Sequence, residues 1–399
     1  MLNSFAGRQE IVNRVLQKDL DGNLAHSHLF VGPEGSGKLF TALEIARRIN
    51  CVTPKECQQR AVCESCKKAV TFQHPDIRWI CPAPASTGEK EAAELYQLIQ
   101  EDPFYEPTYA ASSQVLIGDV THPGPLSVRS ALKYLRVKPF QGKRKVVIVS
   151  GADRLRAGAA NAFLKTLEEP PDDALIILLT PVRSSVLPTI LSRCQQTRFE
   201  PYNENELADL LQKIYPDIQS AHAVELAKSG SGNARQAALL RQSVPQILRR
   251  WAISLLDLAH RGNEGTLQIA ADMLHKGKLP ASIAEEVAPG NKSIAKDASD
   301  LVEKRDRVIR ICSMLSIYYC DMLNCMTRGD TWVPRMASDA DKLKSIVTQR
   351  TVHSLLLDID AIEQARLDAD RNLNLGLVMA VLFKELVSNA REQTRAQSA

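Results

Sequence analysis

The stretch from His28 to Phe40, HLFVGPEGSGKLF, constrains the fold of this 399-residue chain more than any other. Leu29, Phe30 and Val31 form an apolar run that enters a glycine-rich turn, and the residues from Phe40 onward read as a helix. Within it, Gly32-Pro33-Glu34-Gly35-Ser36-Gly37-Lys38 fits the phosphate-binding pattern GxxxxGK. Glycines let successive backbone N–H groups converge on an anion, and the lysine reaches the outer phosphates. The pattern continues with a Ser or Thr that holds Mg²⁺, and here Leu39 takes that place. What such a cradle can do then depends on which acids the rest of the chain brings to it.

The length predicts two or three domains. A hydrophobic content of 44% and a charged content of 24% are those of a soluble globular protein. A net charge of +4 permits contact with nucleic acid without arguing for it. The longest clear apolar run, Ala174–Leu179, is far short of the roughly 18 residues that span a bilayer. The N-terminal MLNSFAGRQEI lacks the basic-then-apolar layout of a signal peptide. The expectation is a cytoplasmic protein with no membrane partner, whose nine cysteines are reduced thiols or metal ligands.

Four of them, Cys51, Cys57, Cys63 and Cys66, follow the first helix with the spacing C-x5-C-x5-C-x2-C. The closing Cys63-Glu64-Ser65-Cys66 is a knuckle in which two thiolates can face one metal ion. The set predicts a structural Zn²⁺ site that closes a loop too polar to fold alone. A redox CxxC pair is the competing reading, and it leaves Cys51 and Cys57 without a role. Cys81, Cys194, Cys312, Cys320 and Cys325 are scattered and predict buried small hydrophobes.

Elsewhere, RQEIVNRVLQKDL over 8–20 has the spacing of an amphipathic helix. Residues 82–125, interrupted by proline and serine, read as a surface insertion with little bearing on function. The runs VVIV at 146–149 and LIILL at 175–179 predict buried parallel strands. A helix over 154–169 stops at Pro170-Pro171, and a shorter one covers 187–194. Strands alternating with helices around one phosphate loop predict a doubly wound α/β domain to about residue 200. Short helices then fill 203–242, and everything beyond about 245 reads as helical.

The run ANAFLKTLEEPP at 160–171, then ILLT and LPTILSRC, resembles bacterial clamp-loader subunits, the AAA+ proteins that load the sliding clamp for DNA polymerase III. HSHLFVGPEGSGK, the cysteine cluster and His74-Pro75-Asp76 belong to the same pattern, and the last favours the delta-prime branch over the gamma/tau ATPases. The resemblance implies an AAA+ domain over 1–200, with a four-cysteine zinc module at 51–66 and the insertion at 82–125. It further implies a helical lid at 201–243, an oligomerising helical collar at 244–390 and a disordered tail at 391–399. ATP would lie against Gly32, Gly35, Ser36, Gly37, Lys38 and Leu39, with Thr180 at the sensor position. Gly230-x-Gly-x-x-Arg235 resembles the lid's sensor arginine, and Asn372-Leu373-Asn374 the collar signature. The implied partners are gamma/tau-type ATPase subunits and a delta-type subunit in a ring, with the sliding clamp and primer-template DNA met through the complex.

Hydrolysis is not expected. The family's ATPases carry Asp-Glu at the end of what counts here as the second core strand, to position Mg²⁺ and activate water. Ser150 and Gly151 stand there, and Asp153 lies three positions past the first. The retained glycines and Lys38 can still hold phosphates or can merely keep the turn's shape. Arg193, in SRC, resembles the finger that enters a neighbour's ATP site, against the plainer role of an arginine capping its own helix. Thr180 can equally be an ordinary strand-end threonine, and Lys143, Arg144 and Lys145 are a solvated loop or a contact for DNA phosphates. The leading expectation is a non-hydrolysing scaffold that supplies Arg193 in trans. An active gamma/tau-type ATPase and a stand-alone zinc-dependent nucleic-acid-binding protein are the alternatives.

Overall fold

The computed structural model describes residues 8–57, 61–101, 104, 113–155, 157–241, 243–261, 304–329, 340–348, 350–370 and 373–396. The chain divides into two compact units, Met1–Ala238 and Leu239–Ala399.

The first unit is built on a parallel sheet of five strands: β1 (Ser27–Val31), β2 (Ile77–Ile80), β3 (Lys145–Ser150), β4 (Ala174–Thr180) and β5 (Gln195–Arg198). Their order is β2-β3-β4-β1-β5, with β1 between β4 and β5. The register aligns Val31 with Thr180, and Ser150 with Leu179. One carboxyl edge of the sheet therefore carries the phosphate loop, the end of β3 and the end of β4. β4 is buried throughout because helices cover both faces, which is why LIILL is unbroken by polar residues. Among the helices, α1 (Gln9–Leu20), α2 (Lys38–Ile49), α5 (Val128–Leu135) and α6 (Ala157–Glu168) surround this sheet, and α3 (Glu64–Val70) follows the cysteines. Leu29, Val147, Val149, Ile176 and Phe163 lie in the core beneath them.

The strands β2 and β5 are additions to the sequence reading. IRWI is too short and QQTR too polar to stand out, and both are edge strands. With β2 in place, the strand that ends at Ser150 is the third of the sheet, not the second. The 82–125 segment also corrects the expectation of a surface insertion. Its helix α4 (Glu89–Glu101) buries Ala92, Leu95 and Ile99, and Phe104 and Val115 are buried beyond it. Lys145 is no DNA-facing residue: it is buried in an ion pair with Asp76 at 2.8 Å. Arg144 pairs with Asp19 at 2.9 Å, and only Lys143 of the three is exposed. Cys81, Cys194 and Cys312 are buried as expected, while Cys320 and Cys325 are half-buried.

The short α7 (Pro188–Leu191) precedes β5, and α8 (Glu204–Ile214), α9 (Ser220–Gly230) and α10 (Ala234–Arg241) follow it. A capping box starts α8: Asn203 accepts from the Glu206 N–H while the Glu206 carboxylate accepts from the Asn203 N–H.

The second unit consists, among the described residues, of α11 (Ser243–His260), α12 (Lys304–Arg328), α13 (Ala340–Val347), α14 (Val352–Asp370) and α15 (Leu375–Ala396). Trp251, Leu315, Tyr318, Leu355, Ile362 and Phe383 are buried in it. A buried Arg350–Asp358 ion pair is completed by Asn389, whose Nδ2 donates to Asp358 at 2.8 Å. The helix α15 continues through Ala396, so the tail expected to be disordered from 391 is helical over most of its length. Asn374 caps α15 by accepting from the Leu377 N–H, whereas Asn372 lies outside the described residues. Among the described residues no helix is long and apolar enough to cross a membrane.

Candidate functional site

Two sites lie at opposite ends of α2. At its N-terminus, Gly35 and Gly37 adopt φ of 69° and 88°, the left-handed backbone that lets the loop turn into the helix. The segment that follows β5 is seated on this loop. A Cβ at Gly35 would strike the Asn233 side chain, and one at Gly37 would strike the Tyr202 hydroxyl. The Ala234 N–H donates to the Gly35 carbonyl at 3.1 Å, and the Tyr202 N–H to the Gly232 carbonyl at 3.1 Å.

A cavity of about 250 Å³ opens beside the loop, between the carboxyl edge of the sheet and the lid. It collects Gly35, Gly37, Lys38, Leu39, Thr180 and Arg235, so most of the expected nucleotide residues share one space. Gly32 and Ser36 are in the loop but not on the cavity wall; Ser36 is buried and donates its hydroxyl to the Pro33 carbonyl at 2.7 Å. Lys38 turns back on its own loop, with Nζ 2.5 Å from the Gly32 carbonyl and 2.6 Å from that of Pro33. Burial brings its pKa down to about 8 against the opposing pull of Glu34 and Asp153.

The catalytic positions are differently arranged. Ser150 accepts the Trp79 indole N–H at 2.9 Å. Gly151 sits at φ 72°, and a Cβ there would lie 2.8 Å from Pro82 Cγ. A glutamate could not be restored at this position without moving the backbone. Two acids line the cavity, Glu34 from the loop and, contrary to the sequence reading, Asp153, which the turn over Ala152–Arg154 folds back into it. The Asp153 carboxylate lies 3.1 Å from the Thr180 hydroxyl and 3.9 Å from Arg154 Nε. Thr180 is buried, and its hydroxyl serves Asp153 and the Val182 carbonyl and accepts the Val182 N–H. Ile99 and Phe104, from the supposed insertion, complete an apolar side of the same cavity.

Arg8 is a residue that the sequence reading missed. Its guanidinium stacks 3.8 Å from the Tyr202 ring centre and donates to the Glu200 carbonyl at 2.6 Å. It also pairs with Glu206 at 3.2 Å, while its backbone N–H donates to Thr41 Oγ1 at 2.9 Å. An arginine ahead of the first helix carries no pattern, so nothing in the sequence marked this clasp between lid and loop helix.

Arg193 lies away from the cavity, at the end of α7. Its Nη1 donates to the Thr189 carbonyl at 2.8 Å, the helix-capping role, and its Nη2 pairs with Glu168 at 2.5 Å. The side chain remains 33% exposed. The two motifs LEEPP and SRC therefore meet through one ion pair.

At the other end of α2 the four cysteine sulfurs all lie within 4.8 Å of one another. Thiolates about 2.3 Å from a tetrahedral zinc ion would be about 3.8 Å apart, so the set fits the metal. The Cys63 N–H donates to Cys57 Sγ at 3.2 Å and the Cys66 N–H to Cys63 Sγ at 3.4 Å, the bonds of a metal knuckle. Burial opposes ionisation of Cys63, but the N–H groups of Cys66 and Val52 bring it down to about 6, while burial pushes Cys66 up. His74 and Asp76 fasten the module to the sheet. Ser65 Oγ lies 2.9 Å from His74 Nε2, and Asp76 accepts the N–H groups of Phe140, Gln141 and Gly142 at 2.6–2.7 Å.

The sequence family described as "DNA polymerase III, delta subunit" matches residues 8–203. A DNA polymerase III subunit delta' of Bacillus subtilis (strain 168) is 28% identical over 230 residues, 57% of this chain and 56% of that protein. A subunit delta' of Pseudomonas aeruginosa is 27% identical over 261 residues, 62% of this chain and 69% of that protein. The tau subunit of Bacillus subtilis is 25% identical over 302 residues, 70% of this chain and 47% of its own length. The chain thus spans about half the length of the two Bacillus subtilis relatives.

Proposed function

We propose, for a chain that belongs to the clamp-loader family of DNA polymerase III, the part of a delta-prime-like subunit: a non-hydrolysing AAA+ scaffold that lends Arg193 to a neighbour's ATP site. The observation that carries this is Gly151. At the place of the water-activating acid the backbone is left-handed and abuts Pro82, and Leu39 faces the cavity where a metal ligand would be. Lys38, the loop glycines and Arg235 would hold a nucleotide's phosphates without turning it over. The four cysteines would hold a structural Zn²⁺. Arg193 would exchange Glu168 for the transferring phosphate of a gamma/tau-type neighbour in a ring that also contains a delta-type subunit. The sliding clamp and primer-template DNA would be met through that ring.

Asp153 favours one other reading. Its carboxylate shares the cavity with Lys38, as an active gamma/tau-type ATPase would require of some acid. Steady-state ATP hydrolysis by the isolated chain separates the two. The scaffold predicts no turnover, and turnover abolished by Lys38→Ala would reject it. Unchanged DNA-stimulated turnover in a reconstituted loader containing Arg193→Ala would reject the finger.

A further inference from the structure

The cysteine cluster rests on a fully buried ion pair that a structural loop has no evident need of. Arg47 and Glu44 lie one turn apart near the end of α2, with side chains 0% and 2% exposed. Taking both charges out of water costs several kcal/mol per ion, and an apolar pair of similar volume usually serves stability as well or better. The geometry shows what the pair does instead. Glu44 takes two of the guanidinium's nitrogens, Nε at 2.8 Å and Nη2 at 2.6 Å, which fixes the plane of the fork. The remaining Nη1 is thereby aimed at Cys66 Sγ, 3.1 Å away, and at the Cys57 carbonyl, 3.2 Å away.

We propose that Arg47, aimed by Glu44, is a positioning residue of the four-cysteine metal centre, one that donates to the Cys66 sulfur and orients it toward the metal. This rests on the reading of the cluster as a zinc site. Cys57 Sγ is served by the Cys63 N–H and lies 3.3 Å from the Thr53 hydroxyl, and Cys63 Sγ is served by the Cys66 N–H. The knuckle thus spends the Cys66 N–H on its neighbour, and Arg47 Nη1 donates to Cys66 Sγ. Four thiolates around one divalent ion carry a net charge of −2, and a delocalised cation against one sulfur offsets part of it. A hydrogen bond of this kind also lowers the sulfur's nucleophilicity, so the bound ligand is shielded from electrophiles. Outer-shell partners of this sort typically change metal affinity by about 10- to 100-fold.

The test uses the full chain. Substitution of Co²⁺ in the wild-type protein should give the absorption of tetrahedral thiolate coordination, and its absence would discard the zinc reading itself. Removing Arg47 alone strands Glu44, so the informative variant is Glu44→Leu with Arg47→Met, accompanied by Arg47→Lys. Both should bind Zn²⁺ about 10- to 100-fold more weakly in competition with a chromophoric chelator. Both should shift the thiolate-to-cobalt charge-transfer band to lower energy and release zinc faster on alkylation. Wild-type affinity, band position and release rate in Arg47→Lys, or in a folded double variant, would overturn the proposal while leaving the zinc site intact.

Discussion

The two ends of α2 make opposite use of a retained motif. At Lys38 the cradle keeps its glycines and its lysine, yet Leu39 and Gly151 stand where metal and water would be handled. At the other end all four cysteine sulfurs converge on one another, and one of them, Cys66, meets a buried ion pair. A phosphate loop does two separable things, shaping a turn and binding an anion, so it can lose its reaction and survive as structure. A tetrahedral thiolate site has no such division. Removing one ligand removes the site, and the set is therefore complete or absent. In the proposed reading the helix joins a site that has given up its reaction to one whose structure depends on its metal.

The strongest way to sharpen this contrast lies outside both ends. If the cradle has given up hydrolysis, the chain's contribution to turnover should reside in Arg193. We expect Arg193→Ala to lower ATP turnover by a reconstituted loader about 10³-fold or more, as loss of an arginine finger does in related phosphoryl-transfer enzymes. The isolated chain should unfold as before, because a partly exposed pair such as Arg193–Glu168 contributes only about 0–1 kcal/mol. A large fall in the melting temperature would mean that the arginine serves its own helix.

The metal end predicts the next largest effect. The purified chain should contain one Zn²⁺, and Cys66→Ser should lose it together with the fold of the module. The expected destabilisation is several kcal/mol, on the order of 10 °C in Tm. Equal metal content and melting in Cys66→Ser would break the contrast, since the cluster would then be ornamental.

A third effect tests how the module is tied to the sheet. Asp76 is buried, yet Lys145 and three backbone N–H groups hold it at about 2, below its usual 3.8. The folded value is the depressed one, so its contribution is present above pH 4 and lost as pH falls from about 4 to 2. The shift corresponds to about 2 kcal/mol, and acid titration of stability should show a correspondingly smaller loss over that window in Asp76→Asn. Parallel curves for the two proteins would rule this out.

Legibility in the sequence followed the same division. The sheet's buried strands, the loop and the convergence of the cysteine set were readable because each depends on a local run or spacing. β2 and β5 were not, because an edge strand of four residues is selected by its neighbours rather than by its own pattern. Asp153 was excluded by counting along a strand, but a short turn folds it back into the cavity. Arg8 and Arg47 had no motif to announce them, since each acts through residues brought near only by the fold. The 82–125 segment failed for the opposite reason. Its proline-rich composition reads as a surface insertion, while Ile99 and Phe104 serve as cavity wall.

The smallest effect concerns the phosphate-loop end and separates binding from turn-shaping. Burial lowers Lys38 to about 8, so the lysine gives up its charge in the range where its phosphate contact can be measured. If the cradle binds nucleotide, affinity for ATP without magnesium should be flat below pH 7 and fall by up to about tenfold per unit above 8, because only the charged lysine attracts the phosphates. Lys38→Ala should bind weakly at every pH and show no such decline. The sign for stability is opposite: the unfolded lysine holds its proton to higher pH, so the folded chain should gain rather than lose stability between pH 8 and 10. An affinity independent of pH would mean that Lys38 remains on the carbonyls of Gly32 and Pro33 with ligand present. The loop would then be a turn that kept its sequence because the lid packs on it, and the comparison would reduce to one working end of α2.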